Sequence, residues 1–393
     1  EALERAFPGR FAPVLVDPLA GPGSILLLRR VVGLYGPLIR LAPWAWGAIY
    51  RASDSTRAAA FLQRTLLRLA DRPVAHTVQQ VNPAAIVSFH PLTTAPAVRA
   101  ARTADDRVPV ITVVTDLITA HAAWHHAGPD QIVVPSAAIR WTCHLAGVPR
   151  GQCSEIGLPV SSRFCGPRLN PTQRSALKKA LGVDEGRFLV VVTGGGEGSG
   201  AIAKRAAALV DAFDDVQVVA ICGRNRRLQQ SLASLVNDAG GRLVVKGFVA
   251  DMADWLRCAD AVVTKAGPGT IAEATCCGAP LVITTHLPGQ ERGNTELVVG
   301  AGAARHAPGS KDLLSIIGEL RRQPAALEAM RQASASLGRP AAGDEIAAMV
   351  ARIADPTRCW SLPARPPAGI DKALPARGSR HRRDAWGSHD GVA

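Results

Sequence analysis

The chain has 393 residues, 47% hydrophobic and 20% charged, which at roughly 100–200 residues per domain predicts two or three cored domains and excludes a disordered or fibrous protein. Aromatics make up only 4%, so the interior is expected to be built mostly of Ala, Val and Leu. The net charge is +13, and residues 1–168 carry 17 basic against 10 acidic side chains, a balance that suits anionic lipid, nucleic acid or a phosphorylated substrate and says nothing about fold.

Eight cysteines contain no CxxC pair and several lie inside apolar runs, which predicts reduced thiols in a cytosolic protein. Residues 25–50 are the most apolar stretch, but Arg29, Arg30 and Arg40 interrupt it, and a membrane span of ~18–20 uncharged apolar residues is not expected.

In chain order, residues 1–10 (EALERAFPGR) read as the late part of an amphipathic helix and residues 11–16 as a strand. With no initiator Met and no signal-peptide pattern, a truncated or misannotated start is expected. An irregular apolar segment (24–50) and a helix over 55–70 follow, then short strand-like runs at 84–88, 110–115 and 131–134 that alternate with helical patterns. From Phe188 the rhythm is clearer: FLVVVTGGG, VQVVAICG, RLVVKGF, AVVTKAG and PLVITT, separated by helices at 201–213, 226–239, 252–258 and 270–277. Strands alternating with crossover helices predict an α/β protein with two doubly wound parallel sheets facing a cleft. Gly166, Pro167 and Pro171 place the boundary, giving domains at 1–168 and 169–354. The Pro-, Gly- and Arg-rich residues 355–393 read as a disordered, solvated basic tail.

Three loops carry chemistry. Residues 193–200 (TGGGEGSG) follow a strand and open a helix, so Gly195 and Gly196 can bring backbone N–H groups to a phosphate. A dinucleotide site would need an acidic residue ending the next strand, and Arg224 follows it instead. The second loop, Lys265 to Glu273 (KAGPGTIAE), repeats the strand, glycine turn and helix start. Gly267, Pro268, Gly269 and Thr270 suit a diphosphate at a helix N-terminus, and Glu273 suits the two hydroxyls of a ribose, though an acidic group in a first turn also stabilises a helix by itself. The third, residues 287–294 (LPGQERGN), offers Gln290, Glu291 and Asn294 to a hexose, or is a plain solvated loop.

Residues 265–273, Gly278-Ala279-Pro280 and 288–294, with Gly247-Phe248 upstream, resemble the donor-binding half of the monogalactosyldiacylglycerol synthases and bacterial processive diacylglycerol glucosyltransferases, and more distantly the lipid II GlcNAc transferase of peptidoglycan synthesis. The similarity continues in SFHPL (88–92), VTDL (114–117) with His121 and Trp124, Pro135-Ser136 and GLPV (157–160). It implies the GT-B fold of two Rossmann-like domains. It also implies inverting, metal-independent transfer from a UDP-sugar, which is a substrate with no further cofactor, by an enzyme lying peripherally at the cytoplasmic face of the plasma membrane. On matching positions, Phe248 and Val249 would hold uracil, Glu273 the ribose, Gly195, Gly196 and residues 267–270 the diphosphate, and Gln290, Glu291 and Asn294 the hexose. The family's first strand and Gly-Gly-Gly-His turn, with its expected general base, do not occur in these residues. Asp116, His90 and His121 remain as candidates, and Asp116 at a strand's end could equally be a helix cap.

His121, His125 and His126 could share a helix face and bind zinc, but no nearby carboxylate or cysteine completes a set, and His121 and Trp124 are expected on the acceptor side. Tyr35, Trp44 and Trp46, among the arginines of 24–50, suit an anionic headgroup boundary or a buried helix pair. No nucleic-acid motif accompanies the charge. The expected function is hexose transfer from UDP-hexose to a diacylglycerol-type lipid hydroxyl. The alternatives are another lipid or hydrophobic acceptor, a catalytically silent sugar-nucleotide binder and, less favoured, an epimerase of the same fold.

Overall fold

The computed structural model describes residues 1–19, 24–103, 107–125, 128–196, 198, 201–360 and 362. Short β-branched runs bounded by turn residues pair in parallel. The first sheet consists of β1 (Ile86–Ser88), β2 (Val110–Val113), β3 (Gln131–Val134) and β4 (Cys153–Glu155), in the order β1-β2-β3-β4. The second consists of β5 (Phe188–Thr193), β6 (Val216–Ile221), β7 (Leu243–Lys246), β8 (Ala261–Lys265), β9 (Leu281–Thr285) and β10 (Ala304–His306), in the order β10-β9-β8-β5-β6-β7. Helices cover both faces of this second sheet: Val190 and Val192 of β5 enter one core, and Leu189 and Val191 enter the other. Burial on both faces is why these strands read as unbroken apolar runs.

The topology fixes where a ligand can sit. From β5 the chain moves outward through β6 and β7, then returns to place β8 on the other side of β5 (Val190 opposite Ala261) and continues to β9 and β10. The winding reverses between β5 and β8, and the loops leaving their carboxyl ends diverge there to open a crevice. Below it, at the start of β8, Asp260 is buried and accepts from Lys178 Nζ at 2.7 Å and Arg331 Nη2 at 3.0 Å. It also accepts from the β5 amide of Leu189 at 2.9 Å, which ties the helices Pro171–Ala180 and Pro324–Leu337 to the sheet.

Several expectations change. Residues 11–16 form no strand: Val14, Leu15 and Val16 are exposed with no ladder partner among the described residues, and Pro13 and Pro18 remove backbone donors there. The helix expected over 55–70 breaks at Thr65, which separates Thr56–Arg64 from a short 3-10 turn, Leu66–Ala70. Thr65 Oγ1 bonds back to the Phe61 carbonyl at 2.8 Å, and a new helix, Asp71–Val81, starts with Pro73 in its first turn. β4, β10 and the helices Ser310–Arg322, Pro324–Leu337 and Ala342–Ala354 were not singled out by pattern. Ala342–Ala354 returns to the first sheet, where Ile346 and Val350 pack on Ile111, Val113 and Val133.

Part of the expected disordered tail is ordered. Trp360 stacks edge-on against Phe7 at 5.1 Å and donates to the Asp355 carbonyl at 2.8 Å, because its large apolar ring closes over the helix Ala2–Ala6 and the end of Ala342–Ala354. Residues 363–393, including the basic run 377–383, lie outside the described residues. All eight cysteines are free thiols.

Candidate functional site

At the winding reversal the glycine loops interlock. Gly198 and Gly223 both adopt positive φ (+57° each), and a Cβ on either would overlap a backbone carbonyl, that of Cys222 for Gly198 and that of Gly196 for Gly223. Only glycine permits this approach. The loop after β5 is thereby pressed onto the turn after β6, where the Arg224 amide donates to the Gly196 carbonyl at 2.9 Å. Across the crevice, the helix Pro268–Cys276 begins directly after β8, with Gly267 as its N-cap and Pro268 at its first position. Thr270 Oγ1 lies 4.0 Å from where a Gly195 Cβ would be. Gly195, Gly196, Arg224 and the first-turn amides of Gly269 and Thr270, which have no acceptor within their own helix, thus converge on one small volume, where backbone N–H groups, a helix dipole and a guanidinium suit a diphosphate.

Around this cradle, the Arg224 guanidinium sits 5.2 Å from the Phe248 ring centroid, and Phe248 is exposed at the rim while Val249 turns inward to pack on the core. A flat base could stack on such a ring. Glu273 lies one turn into Pro268–Cys276, half-buried, and burial pushes its carboxyl up to about 7. A desolvated carboxylate gains from hydroxyl donors that restore its lost hydration.

The third loop does less uniform work than its sequence suggests. Glu291 is buried, pairs with Lys265 Nζ at 2.5 Å and accepts from the Leu287 amide at 2.9 Å, so both its oxygens are engaged within the protein. Asn294 is also buried and donates to the Ala266 carbonyl at 3.0 Å, leaving its Oδ1 without a partner among the described residues. Gln290 instead reaches the first domain: its Nε2 donates to Asp116 Oδ1 at 2.9 Å.

Asp116 follows β2, only 7% exposed, and its other oxygen accepts from Trp124 Nε1 at 2.8 Å. Two neutral donors hold the carboxylate while lone pairs remain for a substrate proton. Trp124, expected on the acceptor side, is 1% exposed within the core beside Val114 and Ile132. Its bulk favours burial, and its indole N–H finds an acceptor in Asp116.

The two histidines differ. His121 Nδ1 accepts from the Ala123 amide at 3.1 Å and its Nε2 is 3.1 Å from Ser53 Oγ, so both ring nitrogens are occupied, and burial lowers its pKa despite the pull of Asp54 and Asp116. His90 is exposed at the start of the helix Pro91–Thr103, with Nδ1 accepting from the Leu92 amide at 3.2 Å. His126 lies outside the described residues, and no group of three or more His, Cys, Asp or Glu side chains among the described residues is placed to hold a metal ion.

Residues 24–64 fold into the helices Leu26–Gly33, Tyr35–Leu41, Pro43–Ser53 and Thr56–Arg64. Leu41 (85% exposed) and Trp44 (75%) point outward, with Leu26, Leu34 and Phe61 also exposed. Tyr35, Trp46, Tyr50 and His121 form a ring ladder, with centroids 5.0, 6.3 and 5.0 Å apart, that descends from this surface toward Asp116. Sequence reasoning passed over Tyr50, Lys265, Ser53 and Asp54. Lys265 opened a motif already singled out, whereas the other three gave no local signal.

Comparison with known proteins decides the family. The model for monogalactosyldiacylglycerol (MGDG) synthase matches residues 2–160, and that for the glycosyltransferase family 28 C-terminal domain matches residues 189–345. The chain belongs to the monogalactosyldiacylglycerol synthase family. It is 36% identical over 282 residues to monogalactosyldiacylglycerol synthase 1, chloroplastic, of Arabidopsis thaliana, covering 69% of this chain and 52% of that one. The spinach (Spinacia oleracea) enzyme is 34% identical over 257 residues, covering 63% and 48%. The chain thus spans about half the length of the curated relatives it matches.

Among solved structures, Acinetobacter baumannii MurG aligns with a TM-score of 0.53 at 17% identity (73% of this chain, 80% of that one). Anabaena HepE in complex with UDP aligns at 0.50 and 18% (71% and 82%). These two structures show the fold, two Rossmann-like domains of the GT-B type. A UDP-GlcNAc 2-epimerase from Neisseria meningitidis aligns as well, at 0.55 and 12% (73% and 82%), so the architecture alone does not select transfer over epimerisation.

Proposed function

We propose that this protein is an inverting glycosyltransferase that moves a hexose from a UDP-sugar to the free hydroxyl of a diacylglycerol-type lipid. The observation that carries the reading is the 2.9 Å hydrogen bond from Gln290 to Asp116, which joins the loop beside the diphosphate cradle to a buried carboxylate on the opposite domain. Such a contact would set a donor's anomeric carbon beside a base. In the proposed step, Asp116 takes the proton of the acceptor hydroxyl, the oxygen attacks the anomeric carbon from the face opposite the phosphate, and the carbon to phosphate-oxygen bond breaks to release UDP. The amides of Gly269 and Thr270, the N-terminal dipole of Pro268–Cys276 and Arg224 supply the positive potential that the departing diphosphate needs, so the step is proposed to run without a metal. Phe248 would stack on uracil and Glu273 would accept from the ribose hydroxyls.

No helix among the described residues is long and apolar enough to cross a membrane. The exposed apolar side chains of 24–64, set among arginines, support peripheral docking on an anionic bilayer. The relatives' names, which describe synthesis of monogalactosyldiacylglycerol, support the lipid acceptor. The test is calorimetric titration with UDP together with transfer from UDP-galactose and UDP-glucose to diacylglycerol in anionic vesicles. Saturable UDP binding and inverted product are expected, and failure of UDP to bind would overturn the reading.

A further inference from the structure

The helix Pro43–Ser53 lies directly on the turn that carries Gln290, and two glycines make the approach possible. A Cβ at Gly47 would come within 2.7 Å of Pro288 Cβ, and one at Gly289, where φ is +87°, would come within 2.9 Å of Tyr50 Cδ1. Tyr50 is consequently wedged between the Gly289 turn and the His121 ring, 5% exposed. Its hydroxyl is buried and has no hydrogen-bond partner among the described residues. The adjacent Gln290 Oε1 is likewise buried and unpartnered, because the amide nitrogen of that side chain is the atom turned toward Asp116.

Buried polar atoms are rarely left unpaired unless something else pairs with them. These two are complementary in a specific way: the phenol can donate, the amide oxygen can only accept, and a hydroxyl can accept from one and donate to the other. Burial, with Asp116 and Asp54 nearby, drives the phenol pKa far above its ordinary value, so Tyr50 keeps its proton as a donor.

We propose that Tyr50 is a substrate-contacting residue whose hydroxyl, together with the Gln290 carbonyl oxygen, holds one hydroxyl group of the substrate beside Asp116. This rests on the reading of the cleft as a UDP-hexose and lipid-acceptor site. The hydroxyl belongs either to the hexose of the donor or to the glycerol of the acceptor, and the same variant tells them apart.

The experiment uses the full chain and Tyr50→Phe. Because the phenol oxygen bonds nothing among the described residues, the variant should melt within about 2 °C of the parent without ligand, and UDP affinity should be unchanged. One substrate contact should be lost: either UDP-galactose or UDP-glucose binds about 3- to 15-fold more weakly, which assigns the hydroxyl to the hexose, or the KM for diacylglycerol rises by that factor with donor affinity intact, which assigns it to the acceptor. A variant equal to the parent in all of these overturns the proposal while UDP binding by the parent leaves the wider reading standing. A fall in melting temperature with parallel loss of UDP binding makes the hydroxyl structural and also overturns it. If the parent binds no UDP, the functional reading fails first and this proposal falls with it.

Discussion

The crevice of the second sheet and the helical region over 24–64 meet at the same cleft but are built in opposite ways. In the first, backbone does the work: Gly195, Gly196, Gly223 and Gly267 set loop paths, and helix amides face the space where a diphosphate would lie. In the second, side chains from scattered positions converge, with Tyr50, Ser53 and Asp54 of one helix end touching His121 and Ala122 of a loop some seventy residues away. A site made of backbone demands glycine and strand–turn–helix spacing, and therefore leaves a motif. One made of long-range side-chain contacts leaves none.

The contrast can be broken at either region, and the expected effects fall in order. Asp116→Asn should lower kcat by about 10²- to 10⁴-fold, the usual worth of a positioned base, while the UDP dissociation constant stays within about twofold of the parent. Equal loss of UDP binding would mean that the two regions are one mechanical unit and not two separable ones. Asp260→Ala removes the only acidic partner that the described contacts give to two buried cations, Lys178 and Arg331. It should destabilise the fold by about 3–5 kcal/mol in a denaturant titration.

Glu273→Ala should weaken UDP binding by about 1–3 kcal/mol through lost charge-assisted bonds. The parent should also show a pH dependence of the same origin. With the Glu273 carboxyl raised to about 7, ribose hydroxyls bond best to its ionised form, so UDP affinity should rise as pH increases through 7 and level off above it. Calorimetry at pH 6, 7 and 8 checks this, and a Glu273→Gln variant should give a flat profile over that window. The smallest effect is expected at Trp44, already 75% exposed. Trp44→Ala should leave stability within about 0.5 kcal/mol and reduce co-sedimentation with anionic vesicles by about 1 kcal/mol, sharpening the assignment of this surface to lipid.

Much of the fold was legible. The five strands of the second sheet announced in the segments from Phe188 to Thr285 all appear, because strands buried on both faces must be continuous apolar runs. β10 and β4, at three residues each, are too short to carry a period. Within the site, Gln290, Glu291 and Asn294 were singled out together as hexose ligands, yet the structure gives them three different tasks. Their residue types announce polarity, whereas the partner of each depends on whether Lys265, Ala266 or Asp116 lies closest. The burial of Trp124 was not legible for a related reason, since an indole beside two histidines in sequence carries no sign of being packed under Asp116.

By itself the sequence determined the alternation of parallel strands with helices, the glycine loops and the family resemblance, since all three are written in local spacing and in residue types that backbone geometry requires. The tertiary structure alone decided that Asp116 faces Gln290, that Trp124 supports the carboxylate from within the core, and that Tyr50 presses against Gly289. Those contacts join residues far apart in the chain, and their energies depend on distance and burial, which no local pattern encodes.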